Sequence, residues 1–255
     1  GAQLPSNMGE VGKCESCGVI TTLGDYDWVL SEITQAADYV NDNVKLDKNG
    51  KLTQKIRAAM KHDSGFSVQL MEDKASNGYM QIMSALVTKK PERMRRFVDN
   101  ALFENINQQI KNDPPFSFNR LYLNNVTLMD YYQDKGKDNM VIAFKRTAQN
   151  VSVASGKLQL IDYAPFTSNE IMVMSRDTGA GIPKGSLYAH SCPNCAGPVG
   201  DTLDLNCQYC GAELNSTKNE WIITQLLSAH AYSSLVSEGE LPLVNNAGVN
   251  DLDAV

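Results

Sequence analysis

Cys192-Pro193-Asn194-Cys195 and Cys207-Gln208-Tyr209-Cys210 form a C-x2-C-x11-C-x2-C array that leads into Trp221-Ile222-Ile223-Thr224-Gln225-Leu226. Each C-x2-C turn presents a pair of thiolates. A hairpin between the turns brings both pairs around one tetrahedral Zn²⁺ at about 2.3 Å from each sulfur. Gly211, directly after Cys210, supplies the backbone freedom that a tight turn needs beside its second thiol. Four protein thiolates leave no open coordination position, so Cys192, Cys195, Cys207 and Cys210 are expected to hold a structural ion. A pair of disulfides in a secreted protein and an iron–sulfur centre remain the alternatives. His190 stands two residues before the array and is not needed as a ligand.

Half of the array recurs at an offset of 193 residues without a gap. Cys14, Cys17, Gly18, Trp28, Ala36 and Tyr39 match Cys207, Cys210, Gly211, Trp221, Ala229 and Tyr232. Between them Trp28-Val29-Leu30-Ser31-Glu32-Ile33 reads against Trp221-Ile222-Ile223-Thr224-Gln225-Leu226. A repeat of a metal knuckle running into an apolar strand makes the chain modular. The partner pair of Cys14 and Cys17 maps to about residue 1 or just before it, and Gly1-Ala2-Gln3-Leu4-Pro5 resembles the continuation of a knuckle. Cys14 and Cys17 are therefore expected to form an incomplete metal site, in a chain expected to lack its true N-terminus. Their thiols are free, joined in a strained vicinal disulfide, or share a metal with another chain.

Composition bounds the rest. The 255 residues suffice for one large or two small domains, and 42% hydrophobic content with 20% charge is ordinary for a globular protein. A net charge of -6 and a pI near 5.1 argue against broad nucleic-acid binding. The ribbon itself offers Asp201, Asp204, Tyr209 and Glu213 but no Lys or Arg, the wrong charge for phosphate. No stretch approaches the roughly 20 apolar residues of a membrane span. The Asn-x-Ser/Thr sequons at Asn125, Asn150 and Asn215 read as chance in a chain expected to be cytoplasmic.

Residues 24 to 39 read as a strand bearing Trp28, Leu30 and Ile33, and residues 41 to 62 as a linker containing a short amphipathic segment from Lys51 to Lys61. Met71, Ala75, Tyr79, Ile82 and Leu86 recur at helical spacing after a Ser67 cap, predicting a helix from Ser67 to Thr88 with Gly78 placed for close packing. A second helix is predicted from Pro91 to Lys111, with Met94, Phe97, Val98, Ala101, Leu102, Ile106 and Ile110 as its stripe. Arg93, Arg95 and Arg96 read as its solvated face, or else as a patch for an acidic partner or anionic lipid. The period then changes to two. Strands are predicted at Arg120–Tyr132, Asn139–Arg146, Lys157–Tyr163, Glu170–Ser175 and Asn219–Leu227, with hairpins at Gly136 and Ser155-Gly156. Residues 229 to 255 read as a C-terminal tail.

This order is α+β: a cone-shaped, curved antiparallel sheet on two main helices, with the zinc-ribbon hairpin of residues 191 to 213 inserted before the last strand. Asp63-Ser64-Gly65-Phe66-Ser67, Pro91-Glu92-Arg93-Met94-Arg95-Arg96-Phe97-Val98 with Leu102-Phe103-Glu104, and Asn219-Glu220-Trp221-Ile222-Ile223 resemble the Tim-44-like domain family. The resemblance covers residues 63 to 227, and bacterial members of the family carry a similar ribbon. It implies a nuclear-transport-factor-2-like fold and a role in binding, with residues 1 to 40 resembling the end of a preceding domain. It also implies a protein partner or a membrane surface, a link to protein translocation, and a location peripheral to or anchored at the membrane through upstream residues. The chain departs from the mitochondrial pattern in its acidity, its ribbon and its lack of a basic amphipathic N-terminal segment.

A second expectation comes from the cone. Folds of this shape host small-molecule enzymes that use an Asp and a Tyr as general acid and base. Tyr79, Tyr122, Asp130 and Tyr163, with Tyr131 and Asp162 beside them, are the candidate pocket residues. The plainer interpretation makes them core tyrosines and surface acids. Of the three histidines, His62, His190 and His230, none lies on a predicted cone strand. Catalytic residues are expected to be none.

Overall fold

The computed structural model describes residues 11–13, 20–22, 48–63, 65–154, 157–180 and 191–237. The chain divides into two compact units, Gly1–Val40 and Asn41–Val255. In the first, strands β1 (Val11–Lys13) and β2 (Ile20–Thr22) pair antiparallel, with Lys13 opposite Ile20. Cys14, Cys17 and the strand predicted at 24 to 39 lie outside the described residues.

The second unit is α+β, with four helices and a five-stranded antiparallel sheet among its described residues. Helix α1 (Leu52–His62) occupies the segment read as linker. Helix α2 (Val68–Thr88) starts on Ser67, whose Oγ accepts from Leu70 N at 3.1 Å, as the sequence predicts. Its buried face comprises Met71, Ala75, Gly78, Tyr79, Ile82, Met83 and Ala85. Gly78 admits Ile223 closely, since a Cβ there would stand 2.6 Å from Ile223 Cδ1.

The predicted second helix is broken. Pro91–Arg93 forms one 3-10 turn, and α3 (Asn100–Asn112) begins afresh on Asp99, which accepts from Leu102 N at 2.8 Å. The cause is tertiary. Phe97 and Val98 lie along the last strand, with Ile223 N donating to Phe97 O at 2.8 Å and Asp99 N donating to Ile223 O at 3.0 Å. Backbone groups committed to a strand cannot also close helical turns. Arg95 and Arg96 are buried rather than solvated, and Arg93 donates to Ser84 Oγ at 2.7 Å.

Strands β3 (Phe116–Asp134) and β4 (Lys137–Ala154) form one long hairpin. Its turn is Lys135-Gly136, with φ of 48° and 75°, the twist-matched geometry for a two-residue connection. β5 (Lys157–Leu160) and β6 (Phe166–Asp177) both pair with β4, and β7 (Ile222–Ser228) closes the sheet against β6. The register slips three times along β3, at Phe118/Arg120, Leu123/Asn125 and Leu128/Asp130. Each extra residue bends its strand and increases the local twist.

Alternation along β4 divides the core between two faces. Met140, Ile142 and Phe144 meet α2, where Tyr79 stacks on Phe144 at 4.8 Å between ring centroids. Val141 joins Met129, Ile171 and Tyr232 on the other face. Tyr232 belongs to α4 (Ala229–Ser237), so part of the segment read as a tail is a helix covering the back of the sheet.

Candidate metal centre

Cys192, Cys195, Cys207 and Cys210 converge from two knuckles of the same design, one sulfur atom from each lying within 4.8 Å of the others. In the first, Cys192 N donates to Gly197 O and Ala196 N donates to Cys192 O. In the second, Cys207 N donates to Ala212 O and Gly211 N donates to Cys207 O. The residue after the second cysteine takes a positive φ in both, 61° at Ala196 and 72° at Gly211. Glycine makes that conformation easy at Gly211, whereas Ala196 adopts it with a side chain present.

The donors suit a metal ion. All four cysteines are free thiols, Cys192 and Cys207 buried, Cys195 and Cys210 exposed. Cys192 Sγ stands 3.7 Å from Cys210 Sγ, and Cys195 Sγ stands 3.8 Å from Cys207 Sγ. Four sulfurs about 2.3 Å from a tetrahedral ion are separated by about 3.8 Å. Backbone N–H groups of Asn194, Gly197 and Tyr209 donate to Cys192, Cys195 and Cys207, each at 3.4 Å. The Cys210 thiol is drawn down to about 6, chiefly by the Ala212 N–H and next by the Asn194 amide. The N–H donors favour thiolate, the form that ligates, although at Cys195 the Gly197 N–H is outweighed by the neighbouring thiols, Cys210 first, which push the Cys195 thiol up to about 12.

The hairpin has little else to hold it. Cys192, Cys207 and Leu214 form its small core, with Val199 and Ala212 packed around them. Asn215 Nδ2 donates to Val98 O at 3.3 Å, and Arg96 Nη2 donates to Ser191 O at 3.0 Å. Burial lowers the pKa of Arg96, while the facing charges of Cys192 and Cys207 oppose that shift. Arg96 thus sets a cation beside a centre that four thiolates and a divalent ion would leave with two negative charges. Nothing in the sequence around Arg96 pointed to this role, because its partner Ser191 lies 95 residues onward.

The candidate pocket residues occupy different environments. Tyr79 is fully buried, and its hydroxyl has no hydrogen-bond partner. Burial, and then the nearby Glu170 carboxylate, push its pKa far above the ordinary tyrosine value. Asp130 is buried and satisfied by Lys55 Nζ at 2.6 Å and Asn49 Nδ2 at 3.0 Å. Tyr122 is 43% exposed and Tyr163 is 96% exposed. A cavity of about 660 Å³ opens instead beside Tyr131 and Tyr132, lined by none of these four.

No family model matches the chain, and no curated protein matches it. Among the described residues, no helix is long and apolar enough to cross a membrane.

Proposed function

We propose that this chain is a non-enzymatic binding module, pinned by a structural zinc ion, that docks a protein partner. A closed set of four thiolates, spaced for tetrahedral coordination, supports zinc in a structural role. The Tim-44-like and cone-fold assignments draw support from the element order and from the three bulges along β3. A tandem-repeat origin draws support from one coincidence. Lys13 pairs with Ile20 as Asn206 bridges Glu213, at the same offset of 193 residues.

The observation that carries the binding role is an apolar surface between β5 and β6. Leu160, Ile161, Tyr163 and Phe166 are all exposed within seven residues. Large apolar groups gathered at one exposed place mark contact sites. Asp162 lies among them, Lys157 is the nearest basic residue in sequence, and the whole chain carries -6. Arg146 stands 5.9 Å from the Phe166 ring but is paired with Glu170 at 2.9 Å, so the surface offers an anionic membrane little basic charge and a protein partner fits better.

Immobilised wild-type protein and a Leu160→Ser/Tyr163→Ser variant, exposed to extract from the source cells, test this role. A partner retained by the wild type, lost by the variant and kept by a Leu203→Ser/Tyr209→Ser control is expected. Capture unaffected by the Leu160/Tyr163 change, or flotation of the purified protein on anionic vesicles, would overturn it.

A further inference from the structure

Between α1, the end of the β3–β4 hairpin and the end of β6 lies the cavity of about 660 Å³. Its size suits a small organic ligand. Ala58, Phe66, Tyr131 and Tyr132 give it an apolar, largely aromatic wall. Phe66 meets Tyr131 edge to face at 5.9 Å and Trp221 at 6.4 Å, which fixes the aromatic side.

The ionic groups are unevenly matched. Lys55 is held by Asp130 at 2.6 Å, and Arg176 Nη2 donates to Asp63 Oδ2. Asp138 is 6% exposed and makes no ion pair within 4.0 Å among the described residues. Its hydrogen-bond donors are neutral, Gln133 Nε2 at 2.8 Å and Thr178 Oγ1 at 3.0 Å, and its charge, after burial, raises the pKa of nearby Tyr131. Arg176 stands directly across the strands from Asp138, but its guanidinium turns to Asp63 and the Trp221 ring. Two cations therefore meet three carboxylates, and the carboxylate left over lines an aromatic cavity.

We propose that this cavity binds a small monocationic amine with an apolar body, for which Asp138 is the counter-ion. An ammonium group gains a charge-assisted hydrogen bond from Asp138 and attraction from the faces of Tyr131 and Tyr132. A carboxylate ligand finds Lys55 held by Asp130 and Arg176 held by Asp63, with the Arg176 Nε left to donate, and must also approach Asp138. An uncharged ligand gains the apolar contacts alone. This amine site is independent of the protein-docking role, since it uses none of the residues between Leu160 and Phe166.

Three probes of one shape and different charge test the site: phenethylamine, phenethyl alcohol and hydrocinnamate, titrated by ligand-observed NMR. Saturable binding of the amine, on the order of tenfold tighter than the alcohol, is expected, with hydrocinnamate weakest. Asp138→Asn should bring the amine down to the affinity of the alcohol and leave the alcohol unchanged. Ala58→Trp, at an exposed helical position that lines the cavity, should abolish binding of both while the thermal midpoint stays within a few degrees. No saturable amine binding to the wild type, equal binding of amine and alcohol, or an amine preference that survives Asp138→Asn would each overturn the assignment. The wild-type comparison decides the matter even if Asp138→Asn fails to fold.

Discussion

Removing Asp63 should cost this fold more than removing Arg176, although the two share one ion pair. The Arg176 side chain is 4% exposed and that of Asp63 is 14% exposed. Asp63→Ala strips the Nη2 partner from a buried guanidinium whose Nε already has none. The Trp221 ring 4.8 Å away and Asp138 across the strands give partial compensation. Breaking a buried pair from one side costs about 3–5 kcal/mol, and that compensation places this case near 3 kcal/mol. Arg176→Met keeps an apolar stem against Trp221 and leaves Asp63 with the Gly65 N–H at 2.9 Å and a path to water. Its cost should be about 1–2 kcal/mol. The double variant strands no charge and should be more stable than Asp63→Ala alone, giving a coupling energy of about 2 kcal/mol. Urea denaturation followed by far-ultraviolet circular dichroism measures all four corners of the cycle. Additivity within about 0.5 kcal/mol, or a larger loss from Arg176→Met than from Asp63→Ala, would refute this account of the pair.

The remaining expectations concern the metal, the helix–strand contact and pH. Elemental analysis should find one zinc per complete four-cysteine site. Removing it should speed hydrogen exchange at Cys192, Gly211 and Leu214 while Val141 and Ile142 stay protected; unchanged exchange across the ribbon would rule out metal-dependent order there. Gly78→Ala should destabilise by about 1 kcal/mol, because crowding against Ile223 costs roughly 1–3 kcal/mol and outweighs a helix gain of roughly 0.5–1 kcal/mol. Adding Ile223→Val, which removes the crowded methyl, should restore part of that loss in the urea midpoint. Tyr232 is raised to about 12, chiefly by burial, so its contribution is complete below the unfolded value near 10 and is lost as pH rises toward 12. The wild type should therefore lose up to about 1.4 kcal/mol per pH unit more than Tyr232→Phe across that window, as compared by urea midpoints.

Local signals were legible in the sequence where their partners were also local. Cysteine spacing fixed both knuckles, and Ser67 with the stripe of Met71, Ala75 and Tyr79 marked α2 to within a residue. The strands of the long hairpin were found but drawn short: beside the turn Gln133, Asp134, Lys137 and Asp138 are polar though still in register, while at the far end the alternation of Phe116-Ser117-Phe118 and Val151-Ser152-Val153 was passed over. Asp99 was hidden because the apolar stripe continues in phase across it. Only Ile223, more than a hundred residues away, shows that Phe97 and Val98 belong beside a strand. Burial of Arg96 was invisible for the same reason, whereas Arg95 is buried against Asn100 and Phe103 on the next helix, which the unbroken helical reading had placed on the same element. The pocket side of β3 was lost to its bulges, since a slip between Leu128 and Asp130 changes which residues share a face. Of the candidates on this strand, Tyr131 lines the cavity and Asp130 does not, while Tyr132 lines it without having been singled out.

The ribbon's position between β6 and β7 has a kinetic and architectural consequence. The two strands pair directly, with Met172 opposite Leu226, yet the chain between them runs from 178 to 221. Closing a connection about twice as long costs only about 0.6 kcal/mol, so the sheet bears the insertion at little thermodynamic penalty. A metal held by the four cysteines would fasten the middle of that connection to itself and shorten the free chain that must be searched. The segment is also tied to the rest of the unit through Arg96 and Asn215, so opening it would take those partners from the Arg96 guanidinium and from Val98 O.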